Sequence, residues 1–101
     1  LQPVGSWCKK LRSKEEKALF EEENQNPYLK NLYSYVNKQN YLIMKTLILK
    51  ESKKNKINFF DSNDFLDQKK FYHKWLFLSN FHVNDECNKL LSKEIQKRFL
   101  K

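Results

Sequence analysis

The sequence predicts an all-α domain, on three observations. Gly5 is the only glycine, and Pro3 and Pro27 are the only prolines, which leaves little from which to build tight turns and disfavours β-hairpins. Apolar residues recur at spacings of three, four and seven over long stretches, the period of a helix rather than a strand. Helix-capping residues stand where several of those stretches begin. The expected architecture is a compact four-helix bundle, or a three-helix core with a short N-terminal helix. With 101 residues the chain is long enough for one core and not two, so residues 1–101 read as a single domain, in form a segment of a longer chain.

Leu1–Gly5 reads as an irregular lead. Trp7, Cys8 and Leu11 then share a helical face, and Ser13 with Glu16 forms an S-x-x-E capping box before Ala18, Leu19 and Phe20. The first helix therefore starts at about Ser6 or at Ser13. Its acidic end, Glu21–Glu23, opposes the helix dipole and is expected to fray. Asn26 before Pro27 signals a second helix, running to about Lys50. Leu29, Val36 and Ile43 recur every seven residues, as do Tyr28, Tyr35, Leu42 and Leu49. Together they make an apolar arc wide enough to touch two other helices.

Glu51–Phe60 reads as a lysine-rich connector. A third helix is expected from Asp61 or Ser62 to about Ser79, capped by its early aspartates. Phe65, Tyr72, Trp75 and Leu76 share one face, while Leu66, Phe77 and Phe81 project roughly 100–160° away from it at 100° per residue. Asn84, Asp85 and Glu86 open a fourth helix lasting to the end. Its apolar stripe is Cys87, Leu91, Ile95 and Phe99, and Lys89, Lys93, Lys97 and Lys101 form the opposite row. The expected core is Trp7, Leu32, Val36, Ile43, Leu47, Tyr72, Trp75, Leu76, Leu91, Ile95 and Phe99.

Net charge is +8, which favours anionic partners: phosphates, anionic lipid or an acidic protein surface. Eighteen of the twenty basic residues are lysine, and lysine lacks the bidentate fork with which arginine reads guanine and phosphate. No helix-turn-helix or aromatic-basic RNA motif is present, so base-specific reading is not expected. No apolar run reaches the length of a membrane span.

The residues offer little for catalysis. One glycine cannot make a phosphate-binding loop. Cys8, Cys87, His73 and His82 lack paired metal-ligand spacing, so no metal site is expected. Asp61, Asn63, Asp64 and Asp67 are better read as helix caps than as a calcium loop, because Phe65 and Leu66 occupy positions that need a ligand and a glycine. The expectation is a non-enzyme without a cofactor. Cys8 and Cys87 either form a disulfide, in an oxidising compartment, or remain two buried thiols.

Two surfaces are candidates for binding. The first is the surplus apolar face of the third helix, Leu66, Phe77 and Phe81 beside Lys70 and Lys74, of the kind that marks protein interfaces; the alternative is that Ile57, Phe59 and Phe60 cover it. The second is the row Lys89, Lys93 and Lys97, suited to anionic lipid or nucleic acid unless it is merely a solvated face. Tyr41, between Lys38 and Lys45, is a lesser candidate.

The abundance of Lys, Asn, Phe, Tyr and Leu, the near absence of glycine and the aromatic-rich helices resemble the small helical domains of exported or surface proteins of malaria parasites. The resemblance is one of composition, without a shared motif, and it assigns no functional residue. It implies a non-catalytic module, outside the cell of origin or on its surface, that docks on a host or parasite protein, a setting where a Cys8–Cys87 bridge is stable. Protein docking is thus the expected function. Electrostatic binding of lipid or nucleic acid, or carriage of an apolar ligand, are the rivals.

Overall fold

Ser13 and Glu16 make the capping box that their spacing predicts, each side chain meeting the other's backbone N–H, and helix α1 follows over Lys14–Gln25. In the computed structural model, which describes residues 1–100, the first helix therefore takes the later of its two starts. Residues 1–12 form a non-helical strap instead, with one turn at Val4–Trp7. Its backbone N–H groups are taken by side chains far along the chain: Val4 donates to Asn63 Oδ1 at 2.8 Å, Ser6 to Asn80 Oδ1 at 2.7 Å and Lys9 to Asp67. Gly5 lies where the strap crosses α1. A Cβ there would stand 2.4 Å from the Phe20 ring, so the crossing admits only glycine at this separation. The acidic end of α1 does not fray early, because Glu23 is engaged by Tyr33 and by the Asn80 N–H.

Asn26 caps α2 (Pro27–Tyr35) as expected, accepting from the Tyr28 and Leu29 N–H groups. The second helix does not then run on to Lys50. It breaks at Val36–Asn37, and α3 occupies Lys38–Lys54. No glycine or proline causes the break; several carbonyls released there find other partners. The Val36 carbonyl accepts the Trp7 indole N–H at 3.2 Å, Asn37 Nδ2 donates to the Ser34 carbonyl and Asn40 Nδ2 to the Tyr35 carbonyl. Asn37 Oδ1 caps α3 by accepting the Asn40 N–H at 2.8 Å.

The expected third helix is mostly absent. Helix α4 spans only Ser62–Leu66, one 3-10 turn follows at Lys69–Phe71, and His73 adopts a left-handed φ of 63°. The cause is Glu16. Its carboxylate, fully buried, accepts the N–H groups of Leu76 and Phe77 at 3.1 and 2.9 Å, and also those of Ser13 and the Lys10 ammonium. Backbone donors committed to a carboxylate are lost to a helical ladder. Phe77 and Val83 form a single antiparallel bridge instead. The Ser79 hydroxyl accepts the Phe81 and His82 N–H groups in the turn between them, doing without glycine. Helix α5 runs Asp85–Phe99, its N-terminus capped by Asn84, and Lys101 lies outside the described residues.

The all-α class holds, with a different distribution of core. One cluster gathers Phe20, Phe60, Phe65, Leu66, Phe71, Leu76, Phe77, Cys87 and Leu91; a second joins Val4, Trp7 and Tyr41. Of the expected core, Trp7, Leu76 and Leu91 are buried, and Val36 and Tyr72 half-buried. Leu32, Ile43, Leu47, Trp75, Ile95 and Phe99 are exposed.

Candidate functional site

The apolar patch expected on the third helix is not a surface. Leu66 and Phe77 are 0% and 3% exposed, and Phe81 is half-buried with its ring edge against Tyr33 at 5.3 Å. The Glu16 carboxylate holds the backbone of Leu76 and Phe77 inside, and a buried side chain cannot anchor a partner. Lys70 is exposed and lies over the Phe65 and Phe71 rings, and Lys74 is exposed and pairs with Glu86 at 3.0 Å. Tyr41, expected in a polar row, is a core residue. Its ring stacks on Trp7 at 4.7 Å and its hydroxyl donates to Asp61.

Burial alone would raise the Asp61 carboxyl, but hydrogen bonds from Tyr41, Asn63 and Lys45 outweigh it and hold it below the ordinary value. For Lys45, burial acts to lower the ammonium, and its bonds to Asp64, Asp61 and Tyr41 raise it instead. Tyr41, Lys45, Asp61 and Asp64 are thus a structural knot tying α3 to α4.

The cysteines are free thiols, and the bridge weighed from the sequence is not formed. Cys8 Sγ donates to Asn63 Oδ1, and Cys87 is enclosed in the main cluster. Burial, then the charge of Glu16, pushes the Cys87 thiol up to about 12, and burial raises Cys8 as well. Neither is primed as a nucleophile. Among the described residues no three His, Cys, Asp or Glu side chains converge as a metal site.

What the fold leaves outside is α3. Of its seventeen residues only Tyr41 is buried, while Leu42, Ile43, Leu47 and Leu49 are all exposed, Leu47 by 59%. Residues 43, 47, 50 and 54, at spacings of four, three and four, lie on one side of the helix. They read Ile, Leu, Lys, Lys. The neighbouring row, residues 42, 46, 49 and 53, reads Leu, Thr, Leu, Lys. The outer face of α3 is therefore apolar through its middle, from Leu42 to Leu49, and basic toward its end, along a helix about 25 Å long. A shallow groove of about 270 Å³ runs beside the C-terminal part of α3, lined by Leu47, Ile48, Glu51, Ser52, Asn55 and Ile57. Exposed Tyr28, Leu32 and Tyr35 make a similar stripe on α2.

Sequence reading found the excess apolar arc of residues 28–49 but assigned it to the core. The signal for its exposure is the lysine placement at 50, 53 and 54, which shares the arc instead of opposing it. Lys89, Lys93 and Lys97 are exposed on α5, as their spacing predicts. Compared with known proteins, the chain matches no family model and no curated sequence. Among the described residues no helix is long and apolar enough to cross a membrane.

Proposed function

We propose that this chain is a non-enzymatic protein-interaction module whose contact surface is the outer face of α3, and that its partner is an acidic amphipathic helix. The lengthwise polarity of that face carries the reading. Leu42, Ile43, Leu47 and Leu49 suit the apolar half of a docked helix, and Lys50, Lys53 and Lys54 suit carboxylates at its other end. A helix lying on a lipid surface divides apolar from basic residues around its circumference rather than along its length, so the arrangement favours a protein. The composition shared with exported and surface helical domains of malaria parasites fits such a module, with a host or parasite protein as partner.

The test is titration with a helical peptide that is leucine-rich in one half and glutamate-rich in the other, read by calorimetry at low and high salt. Ile43→Glu with Leu47→Glu should abolish binding at either salt. Lys50→Glu with Lys53→Glu should weaken it and flatten its salt dependence. Binding indifferent to both pairs would refute the docking face, and equal affinity for phosphatidylserine vesicles would reassign it to membranes. The rival electrostatic reading uses Lys89, Lys93 and Lys97 on α5. Binding there should fall steeply with salt and ignore the α3 substitutions.

A further inference from the structure

We infer that the cleft where the N-terminal strap, α1 and the α2–α3 elbow meet binds a small organic monocarboxylate, through Arg12, Lys38 and the side-chain amide of Asn80. The cleft has a volume of about 310 Å³, the size of a small-molecule site. It is independent of the α3 face, and three observations point to its ligand.

The first is an unmet donor. Asn80 is 5% exposed and almost fully engaged: its carbonyl accepts the Gly5 N–H, its own N–H donates to Glu23, and its Oδ1 accepts the Ser6 N–H at 2.7 Å. A backbone N–H at that distance fixes which terminal atom is the oxygen, so Nδ2 is the other. That Nδ2 has no hydrogen-bond partner. A buried donor without an acceptor is unfavourable by about 1–3 kcal/mol, relieved when an acceptor reaches it.

The second is unpaired positive charge. The Arg12 guanidinium lies 4.1 Å over the Phe20 ring, and among the described residues no carboxylate pairs with it. Glu23, the acid in the cleft, is already committed to Tyr33 and to the Asn80 N–H. Burial lowers Arg12 from its ordinary value and outweighs the nearby charges of Glu16 and Glu23, neither of which forms an ion pair with it. Lys38 donates only to the Trp7 carbonyl, at 3.0 Å.

The third is the wall. Phe20 and Val36 offer apolar contact beside these donors, and the Glu23 charge opposes a dianion such as phosphate more than it opposes a monoanion. An acid with one carboxylate and a flat apolar body satisfies all three.

The experiment uses phenylacetate, with phenylacetamide as its neutral counterpart and inorganic phosphate as the second control, each titrated into the ¹⁵N-labelled chain. Saturable shifts of the Asn80 side-chain amide and the Arg12 Nε–H are expected with phenylacetate, at least tenfold weaker with the amide or phosphate. Asn80→Asp keeps the oxygen that serves Ser6 and replaces the unmet donor with a like charge; it should abolish binding. Arg12→Met, which removes no hydrogen bond of the fold, should weaken binding about tenfold. Equal response to phenylacetate and phenylacetamide, preference for phosphate, shifts located elsewhere, or binding unchanged in both variants would each overturn the proposal.

Discussion

Leu66 and Leu47 are the same side chain on two helices, one wholly enclosed and the other 59% exposed. The difference lies in what surrounds them. Leu66 belongs to a half of the molecule organised by buried polar groups: Glu16, Asp61, Asn63 and Asn80 each gather donors or supply bonds to segments distant in sequence. Leu47 belongs to an arm held at its base by Tyr41, Lys45 and the α2–α3 elbow. Burial in this protein follows the polar anchors, and the apolar residues between anchors go where the backbone is taken.

The comparison breaks most severely at Glu16. Replacing it with leucine leaves the Lys10 ammonium buried without its partner and orphans the N–H groups of Leu76 and Phe77. The expected loss is about 3–5 kcal/mol, a large part of a small domain's stability. Urea denaturation measures it, and a loss under about 1 kcal/mol would mean that packing, not the carboxylate, holds the segment. The two leucines sharpen the contrast directly. Leu66→Ala should cost about 2–5 kcal/mol and Leu47→Ala no more than about 0.5 kcal/mol, with similar costs disproving the division.

Tyr41 tests the hinge between the regions. Tyr41→Phe keeps the stack on Trp7 but deprives Asp61 of a donor, which should cost about 1–2 kcal/mol. Hydrogen exchange should accelerate in α3 more than in α5; uniform acceleration would show that the arm does not open separately.

The smallest effects are those of pH. The folded Asp61 carboxyl is depressed, so its contribution is present above the ordinary aspartate value of about 3.9 and disappears as pH falls through the folded value. Tyr33 moves the other way. Burial, then the hydrogen bond to Glu23, pushes it up to about 12, so its contribution is present below about 10 and is lost as pH rises toward 12. Asp61→Asn should flatten the acid limb of stability against pH, and Tyr33→Phe the alkaline limb. Unchanged limbs in both variants would assign the pH dependence to other groups.

Much of the local structure was legible because its causes are local. The Ser13–Glu16 box, the Asn26–Pro27 start, the Asn84 cap and the Cys87–Leu91 stripe each depend on residues within one or two turns. The break at Val36 was not read from the sequence: Asn37 and Asn40 serve it locally, but the indole that takes the Val36 carbonyl lies 29 residues away. Nor was the irregular course of residues 67–79, expected as helix, whose Leu76 and Phe77 N–H groups are claimed by Glu16, 60 residues upstream of Leu76. The same distance effect inverted the candidate surfaces. Leu66, on α4, and Phe77, in the unwound segment, are enclosed, while Ile43 and Leu47 stay outside. The orphan amide of Asn80 has no sequence signal, because only the three-dimensional partners of its oxygen identify it.

The strap also sets the order in which the molecule is made. Ser6 precedes the Asn80 oxygen that holds it by 74 positions, and Val4 precedes Asn63 by 59. As the chain leaves the ribosome, α1, α2 and α3 can coil at once, but the strap has no place to lie until the last third has emerged. A helical protein would then fold at the slower pace of one built from distant pairings. Until Asn63 and Asn80 have been made, the Val4 and Ser6 N–H groups lack the acceptors that hold them.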